Sequence, residues 1–482
     1  MSDNIFQSKE FKNNLHNYEA ARIAGSSIYL EPDELTDIAE YYHMHGRLDA
    51  ALEAIDTAID MFPGAAEPLA FKARTAIFMG KETSEAMRYA NMIDDKHDLD
   101  YYYLIAEIMI ADGRIDDAET YLEEKEKEVD EDDLTDYFLD VSTLFADYDA
   151  YGLAQRWLDK CEEDDEDDYI ELKARIALSK NDTTSAQRLY NALIDRNPYQ
   201  TAYWNGLASA QYMASEFNDS INSSDFALAI EGDNCDALLN KGNCFMVLGN
   251  YDDAIVFYKR YQQLQPHNEI AEMGIAAIHM AKGELERALH HWKEAERLCP
   301  AHSNNRLDIY RNITLAYASM GRFDNAFSYI DKMKGMATAK QSDTYVLQGY
   351  VMLVASKSAE AEHFFSLALD TTAKEDKDYT LYFIAYCYFD CNHMNEAHRL
   401  FRRLTQSKHK FDFPDLWAYL VRTDYELGLQ QEFLDDLKKA TEKSPFGTQR
   451  ELADFFPSDL PVKQFCDYAA KHPITKRNKH SD

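Results

Sequence analysis

Small residues, bulky apolar residues and helix-ending residues recur along residues 174–300 at steps of 34. Within each step the apolar side chains follow the period of an α-helix, which predicts two short amphipathic helices joined by a turn. The recurring small residues are Ala174, Ala208, Gly242 and Ala276, then Ala186, Ser220, Ala254 and Ala288. The bulky residues are Tyr190, Tyr258 and Trp292, and the helix-ending residues are Pro198, Gly232, Pro266 and Pro300. The chain is therefore predicted to repeat one helix pair.

Each recurring residue type has a physical reason. A small residue such as Gly242 lets the two helices of a pair approach closely, whereas a large side chain would force them apart. Gly249 and Gly283 fall in the turn between the helices, where left-handed backbone favours glycine. Pro266 and Pro300 end the second helix because proline cannot donate to a continuing helix. One pair cannot bury its apolar face alone, so stacked pairs forming a solenoid are expected.

This pattern resembles the tetratricopeptide repeat. The family's signature positions are matched by Trp204, Leu207 and Ala208, and again by Gly242, Phe245, Gly249, Tyr251, Ala254, Tyr258 and Pro266. The resemblance implies an all-α fold, a right-handed α-solenoid superhelix of about twelve helix pairs with terminal capping helices. It also implies a protein-interaction scaffold and no reaction.

The remaining chain is expected to extend or close the repeat array, making one elongated domain. The array is predicted over residues 34–445, with a four-residue insertion because Gly283 and Gly321 lie 38 apart. Residues 1–33 are expected to form an N-terminal helix that either caps the first repeat or docks elsewhere. Residues 446–482 are expected to form C-terminal capping helices followed by a basic tail.

Charge and motifs exclude several functions. The formal net charge of −36 argues against nucleic acid and against an anionic membrane surface as partners. No apolar run reaches ~18 residues and the first residues carry no hydrophobic signal core, so a cytoplasmic protein is expected. The chain has no P-loop, dinucleotide-binding, zinc-protease or nucleophile-elbow motif. We therefore expect a non-enzyme without cofactor or metal.

The acidic residues are concentrated in one segment. Residues 91–170 hold 29 Asp or Glu against 6 Lys or Arg, a net charge of −23 out of −36. The densest runs are residues 130–133 and 162–168. One interpretation is a set of solvated, self-repelling loops that keep the protein in solution. The other is an electrostatic surface for a basic segment of a partner protein.

Tetratricopeptide domains that bind the acidic C-terminal tail of chaperones use a clamp of Lys, Asn and Arg side chains on three successive first helices. In this chain Asn243 fits the first Asn, but Leu239 occupies the Lys position and Gly274 the second Asn position. Asp308 and Asn312 occupy the third-helix positions. A chaperone tail is therefore not an expected partner.

A row of apolar residues marks the predicted concave groove, which the first helix of each pair lines in this family. The predicted partner-binding residues are Met273, Met280, Tyr350, Leu353, Tyr379, Tyr382, Tyr386, Phe389 and Tyr425. Tyr379, Tyr382, Tyr386 and Phe389 share one helix face, and we expect at least two of them to be accessible to solvent. Such aromatic and Met side chains suit an apolar peptide or helix.

The sequence therefore predicts a scaffold that captures a peptide or helix of a partner protein in its groove. Two alternatives stay open. One is a peptide-gated regulatory receptor whose superhelix changes shape when the peptide binds. The other is a structural subunit that associates with copies of itself.

Overall fold

The chain is all-α. The computed structural model describes residues 6, 8–26, 28–79, 82–161, 166–300, 303–407, 413, 415–457 and 460–472. These residues form 27 α-helices, four short 3-10 helices and no strand. The all-α repeat fold is thus confirmed, while the number of pairs and the handedness of the superhelix stay predictions. Contacts between Cα atoms divide the chain into unit 1, Met1–Gly274 with Pro300–His302, and unit 2, Ile275–Cys299 with Ser303–Asp482.

The helices of unit 1 are α1 (Lys9–Ala24), α2 (Pro32–Met44), α3 (Leu48–Met61), α4 (Ala66–Phe78), α5 (Thr83–Ala90), α6 (Leu99–Ala111), α7 (Ile115–Lys125), α8 (Leu134–Asp147), α9 (Tyr151–Leu158), α10 (Asp167–Ser179), α11 (Thr183–Arg196), α12 (Thr201–Met213), α13 (Phe217–Ile230), α14 (Cys235–Val247) and α15 (Tyr251–Leu264). From α2 onward, each even-numbered helix packs against the odd-numbered helix that follows it. Neighbouring pairs also pack on one another, which buries the continuous core expected of a repeat array.

Helix α16 (Ile270–Ala281) crosses the division between the units. The helices of unit 2 are α17 (Leu285–Leu298), α18 (Asn305–Ser319), α19 (Phe323–Lys334), α20 (Gln341–Val354), α21 (Ser358–Thr371), α22 (Lys377–Asp390), α23 (Met394–Leu404), α24 (Leu416–Leu427), α25 (Gln430–Lys443), α26 (Pro445–Glu451) and α27 (Phe465–Lys471). From α18 to α25 the helices again pack as consecutive pairs.

A left-handed residue closes the first helix of most pairs. Gly249 and Gly283 have φ angles of 78° and 70°, which confirms the turn predicted for them. After Gly249 the chain reverses, and the N–H of Asn250 donates to the carbonyl of Phe245 at 2.8 Å. Where the sequence offers no glycine, the same conformation is adopted by Asp149, Asn181, Ser215, Ser356 and Asn392.

The small residues allow an aromatic ring to fill the space between two helices. A Cβ atom on Gly242 would lie 2.8 Å from Cε1 of Tyr258, on the second helix of the same pair. A Cβ atom on Gly274, on the next first helix, would lie 2.6 Å from Cζ of the same ring. Gly349 faces Phe365 in the same way. The close approach predicted at Gly242 is thus confirmed.

The ends of the described chain pack on the adjoining pairs. In unit 1, Phe11 of α1 is buried and its ring centroid lies 5.4 Å from that of Tyr41 on α2. In unit 2, Phe456 stacks on Phe465 of α27 with centroids 3.8 Å apart, and both side chains are buried. The boundaries predicted for the array, 34 and 445, stay a prediction, and the basic tail from residue 473 lies outside the described residues.

Candidate partner-binding surfaces

Helix α22 of unit 2 is apolar on two faces. Leu381, Ile384, Ala385 and Tyr388 form the first face, and all four are buried in the core of their helix pair. This is the single stripe that a helix in a repeat array requires. The second face carries four of the residues predicted to line the groove, so its environment decides whether a partner can reach them.

Part of the second face of α22 is covered by the neighbouring pair. Tyr382 is half-buried and stacks on Phe413, with ring centroids 4.7 Å apart and an interplanar angle of 13°. Phe389 is also half-buried, and its ring centroid lies 4.9 Å from that of Tyr419 on α24. Tyr382 and Phe389 therefore contribute to packing between pairs, because aromatic contacts of this kind stabilise the core.

The rest of the second face reaches solvent. The exposed fractions are 39% for Tyr379, 54% for Phe383 and 40% for Tyr386. Tyr379 and Tyr386 are thus accessible to solvent, as predicted, whereas the prediction that they line the concave surface stays a prediction. The sequence analysis missed Phe383, although its spacing of four residues from Tyr379 and three from Tyr386 places it on the same helix face. We call Tyr379, Phe383 and Tyr386 the aromatic stripe.

Two predicted groove residues are buried, and their assignment to an accessible surface was wrong. Only 7% of Tyr350 and 3% of Leu353 is exposed. Both lie on α20, which packs beside α22, the next first helix of the array. The hydroxyl of Tyr350 donates to Oδ2 of Asp390 on α22 at 2.8 Å. Contact between neighbouring first helices therefore removes these side chains from solvent.

The other predicted groove residues are partly covered. Met273 and Met280 on α16 are half-buried. Tyr425 on α24 is half-buried as well, and its ring centroid lies 4.2 Å from that of Phe455 in the 3-10 helix Ala453–Phe455. The C-terminal segment thus occupies part of the surface that the sequence analysis assigned to a partner.

The acidic residues of unit 1 follow the repeat. A carboxylate stands six residues before the small residue of the first helix in six pairs, and we call these residues the acidic row: Asp33, Glu67, Asp100, Asp136, Asp168 and Asp236. Each lies near the start of an even-numbered helix between α2 and α14. This row is not apparent when charges are counted over a whole segment such as residues 91–170. It becomes visible in the sequence when positions are counted back from the small residue of each first helix.

The pKa values of these carboxyl groups show that they are close to other carboxylates. Burial raises the pKa of Glu67, and the carboxylates of Asp33 and Asp100 add to the rise. Burial also raises the pKa of Asp140, where Asp136, Asp100 and Asp168 add to the rise. The hydroxyl of Tyr103 opposes the rise at Asp140 by donating to Oδ2 at 3.1 Å. The acidic row therefore concentrates negative charge along the first helices.

Two arginines on the same helices are already paired. Nε of Arg74 on α4 lies 2.6 Å from a carboxylate oxygen of Glu107, and Nη2 of Arg175 on α10 lies 2.6 Å from one of Asp147. Of the two acidic runs singled out from the sequence, residues 130–133 are exposed, and Glu131–Asp133 form a 3-10 helix. Residues 162–165 of the other run lie outside the described residues.

In the part of the chain that the structure describes, no group of three or more His, Cys, Asp or Glu residues is placed to hold a metal ion. No helix of that part combines the length and the apolar character needed to cross a membrane. Cys235, Cys244, Cys387, Cys391 and Cys466 form no disulfide bond.

The chain is built from repeated helix pairs. In most pairs a left-handed residue ends the first helix, and aromatic rings pack against small residues between the helices. These features define a helix-pair repeat protein. Two models described as tetratricopeptide repeat match the chain, one over residues 172–224 and the other over residues 235–268. The chain thus contains tetratricopeptide repeats over these residues. The family indicates a protein-interaction scaffold, with another protein as the general kind of partner. No curated protein sequence matches the chain.

Several solved structures are similar to this chain. A tetratricopeptide repeat protein from Parabacteroides merdae is 16% identical, covers 52% of this chain and 98% of its own, and superposes with a TM-score of 0.41. A thermophilic protein of the same kind from Thermus thermophilus is 16% identical, covers 38% and 98%, and has a TM-score of 0.34. The Cut9–Hcn1 hetero-tetramer of the APC/C is 13% identical, covers 94% and 95%, and has a TM-score of 0.36. Superpositions of this quality carry no argument about function.

Proposed function

We propose that this chain is a non-catalytic scaffold that captures an apolar peptide or helix of a partner protein on the aromatic stripe of α22. The observation that carries the proposal is the exposure of Tyr379, Phe383 and Tyr386 on a helix whose other apolar face is already buried. Helix packing within the repeat needs one stripe only. Contiguous exposed aromatic side chains are typical of protein interfaces, where Tyr and Phe are enriched at the buried centre.

The dimensions of the aromatic stripe suit a short apolar segment. Its first and last side chains lie seven positions apart on the helix, which is about 10 Å at a rise of 1.5 Å per residue. Two turns of a partner helix, or three residues of an extended peptide, cover that length. A polar rim lies nearby, where Nη2 of Arg450 sits 3.0 Å from Oδ2 of Asp415. The cytoplasmic location inferred from the sequence stays part of this proposal.

The proposal is tested by photo-crosslinking. A photoreactive phenylalanine analogue is placed at Phe383 and, as a control, at Asp331 on α19, which is exposed on a second helix. In a lysate of the source cells, position 383 should yield one predominant protein adduct and position 331 none. The double variant Tyr379→Ser with Phe383→Ser should lose capture of that protein by the tagged chain at least tenfold. Its melting temperature should stay nearly unchanged because both side chains are exposed.

Equal adduct formation at both positions, or undiminished capture by the double variant, would show that the aromatic stripe is not the binding site. The variant Tyr382→Ala is a second control. It removes the stacking contact with Phe413 and should lower the melting temperature.

A further inference from the structure

Unit 1 contains a cavity of about 750 Å³ on its first helices. The cavity runs from α10 across α12 to α14, and its wall includes Glu171, Arg175, Asn205, Asp236, Asn240 and Asn243. Met44, at the end of α2, also lines it, because the turn after α2 lies against the end of α15. The volume falls within the range of ligand pockets, which is roughly 300–1,000 Å³. The cavity is therefore large enough for a long side chain with the backbone on either side of it.

The polar groups of the wall are only partly satisfied. Nδ2 of Asn205 donates to Oδ1 of Asn234 at 3.0 Å. In the described part of the chain, Oδ1 of Asn205 is buried and accepts no hydrogen bond. A buried acceptor without a donor costs free energy.

One amide group on the far side of the cavity is oriented by a residue of the core. Oδ1 of Asn243 accepts from the hydroxyl of Tyr258 at 2.7 Å. This contact fixes the amide orientation, which leaves Nδ2 of Asn243 as a donor for a ligand carbonyl. A polypeptide backbone offers both the donor and the acceptor that this wall needs.

The charge of the cavity wall is negative. Burial raises the pKa of Glu171, against the effect of the nearby Arg175 and with a further rise from Asp168. Burial raises the pKa of Asp236, whose carboxylate reaches solvent inside the cavity but meets no cation among the described residues. A carboxylate that protein surrounds without a counter-charge is stabilised when a partner brings a cation.

The cavity continues the acidic row, to which Asp236 belongs. Neighbouring first helices, such as α10, α12 and α14, pack side by side. Helix axes in such contacts lie about 8–10 Å apart, and an extended chain advances ~3.3 Å per residue. One step along the acidic row therefore corresponds to about three residues of an extended peptide. A partner with a basic side chain at every third position would meet a carboxylate at each first helix from α2 to α14 except α12, where Ala202 stands at the equivalent position.

We propose that the first-helix face of unit 1 binds an extended, Lys- or Arg-bearing segment of a partner protein, with one basic side chain entering the cavity lined by Glu171 and Asp236. This inference rests on the proposed scaffold function and gives it a second site with its own partner chemistry. The sign of the charge excludes phosphorylated and acidic segments. A purely solubilising role would not require the carboxylates to keep one register along the repeat.

The test uses fluorescein-labelled 13-residue peptides and the full-length chain. The first peptide carries Lys at every third position between small polar residues, and the second carries Gln in place of each Lys. Fluorescence anisotropy should give binding of the Lys peptide that is at least tenfold tighter than that of the Gln peptide. Binding of the Lys peptide should weaken at 1 M salt, because the Debye length then falls to about 3 Å and the attraction between charges is screened.

The variant Glu171→Gln with Asp236→Asn removes two of the four carboxylates that line the cavity and should weaken binding of the Lys peptide at least tenfold. The matched control is Glu131→Gln with Asp132→Asn, which changes the net charge equally on the exposed 3-10 helix before α8. That control should leave binding within about twofold, and thermal melting should show that both variants stay folded. Equal weakening by both variants would mean nonspecific attraction and would overturn the inference.

The two proposals fail separately. If the Tyr379→Ser, Phe383→Ser variant loses the natural partner but the chain does not bind the Lys peptide, the aromatic stripe is supported as a binding site. The proposed binding of a basic segment on the first-helix face of unit 1 is then contradicted. If the Tyr379→Ser, Phe383→Ser variant still binds the Lys peptide and position 383 captures no partner, the first-helix face of unit 1 is supported as a binding site. The aromatic stripe is then contradicted as one. Absence of both results would remove the scaffold function itself.

Discussion

Single residues set how closely the helices of a pair approach. The ring of Tyr258 occupies the space that side chains at Gly242 and Gly274 would need, and only 1% of Tyr258 is exposed. The same residue holds Asn243 in the cavity wall through its hydroxyl group. The recurring small residue thus determines both core packing and the geometry of a candidate site.

We predict that Gly242→Leu lowers the free energy of unfolding by about 1–3 kcal/mol, because the added side chain overpacks the contact with Tyr258. Gly152→Leu is the matched control, since a Cβ atom on Gly152 would meet nothing within 4 Å. The control should stay within about 0.5 kcal/mol of the native chain. Chemical denaturation measures both. Equal stability of the two variants would mean that the register assigned to the repeat is wrong.

At the scale of elements, a buried ionic network joins three helices of unit 2. Arg402 on α23 contacts Oδ1 of Asp424 on α24 at 3.1 Å and Oδ2 of Asp436 on α25 at 2.5 Å. His398 and Lys439 complete the network at 2.9 Å from Asp424 and Asp436, respectively. The exposed fraction of the side chain is 0% for Asp424 and 1% for Asp436. Burial raises the pKa of Asp424 even though His398 and Arg402 oppose the rise.

We predict that Arg402→Met lowers the free energy of unfolding by roughly 3 kcal/mol or more, because it leaves two buried carboxylates short of their common cation. Lys334→Met is the control. It breaks an exposed pair with Asp331, which spans 3.1 Å and should contribute less than about 1 kcal/mol. Thermal and urea unfolding measure the difference. A loss at Arg402 no larger than that at Lys334 would contradict a structural role for the network.

For the whole molecule, stability should depend on pH through the excess of carboxylates. Folding raises the pKa of several of them, chiefly by burial: Asp37, Glu40, Glu67, Asp100, Asp140, Glu171, Asp236 and Asp424. A group whose pKa is higher in the folded state binds its proton more tightly there. The free energy of unfolding therefore rises as pH falls through the folded pKa toward unfolded values of about 4.

We predict that the melting temperature of the full chain increases as pH is lowered from 8 to about 5.5, which stays above the sequence pI of about 4.7. His43 opposes this trend, because burial lowers its pKa and the unfolded chain therefore binds the proton more tightly at that residue. The variant Glu67→Gln, Asp100→Asn, Asp140→Asn should flatten the profile. Differential scanning fluorimetry measures it, and a melting temperature that falls on acidification would contradict the prediction.

The sequence by itself determined the repeat. Its 34-residue period, its small residues and its turn glycines require only local helix geometry and contact between adjacent helices, so they can be recognised without coordinates. The accessibility of Tyr379 and Tyr386 followed from the same reasoning, because helical spacing gives α22 a second apolar face. The concentration of charge in residues 91–170 is likewise a property of composition alone.

Only the tertiary structure decided which side chains of the groove reach solvent. Tyr350 and Leu353 are buried and Phe383 is exposed because neighbouring first helices pack side by side, and a single-helix period does not contain that contact. Tyr425 is covered by the C-terminal segment, which no repeat pattern describes. The cavity of unit 1 likewise depends on the turn after α2 lying against α15, a contact between residues more than 200 positions apart in sequence.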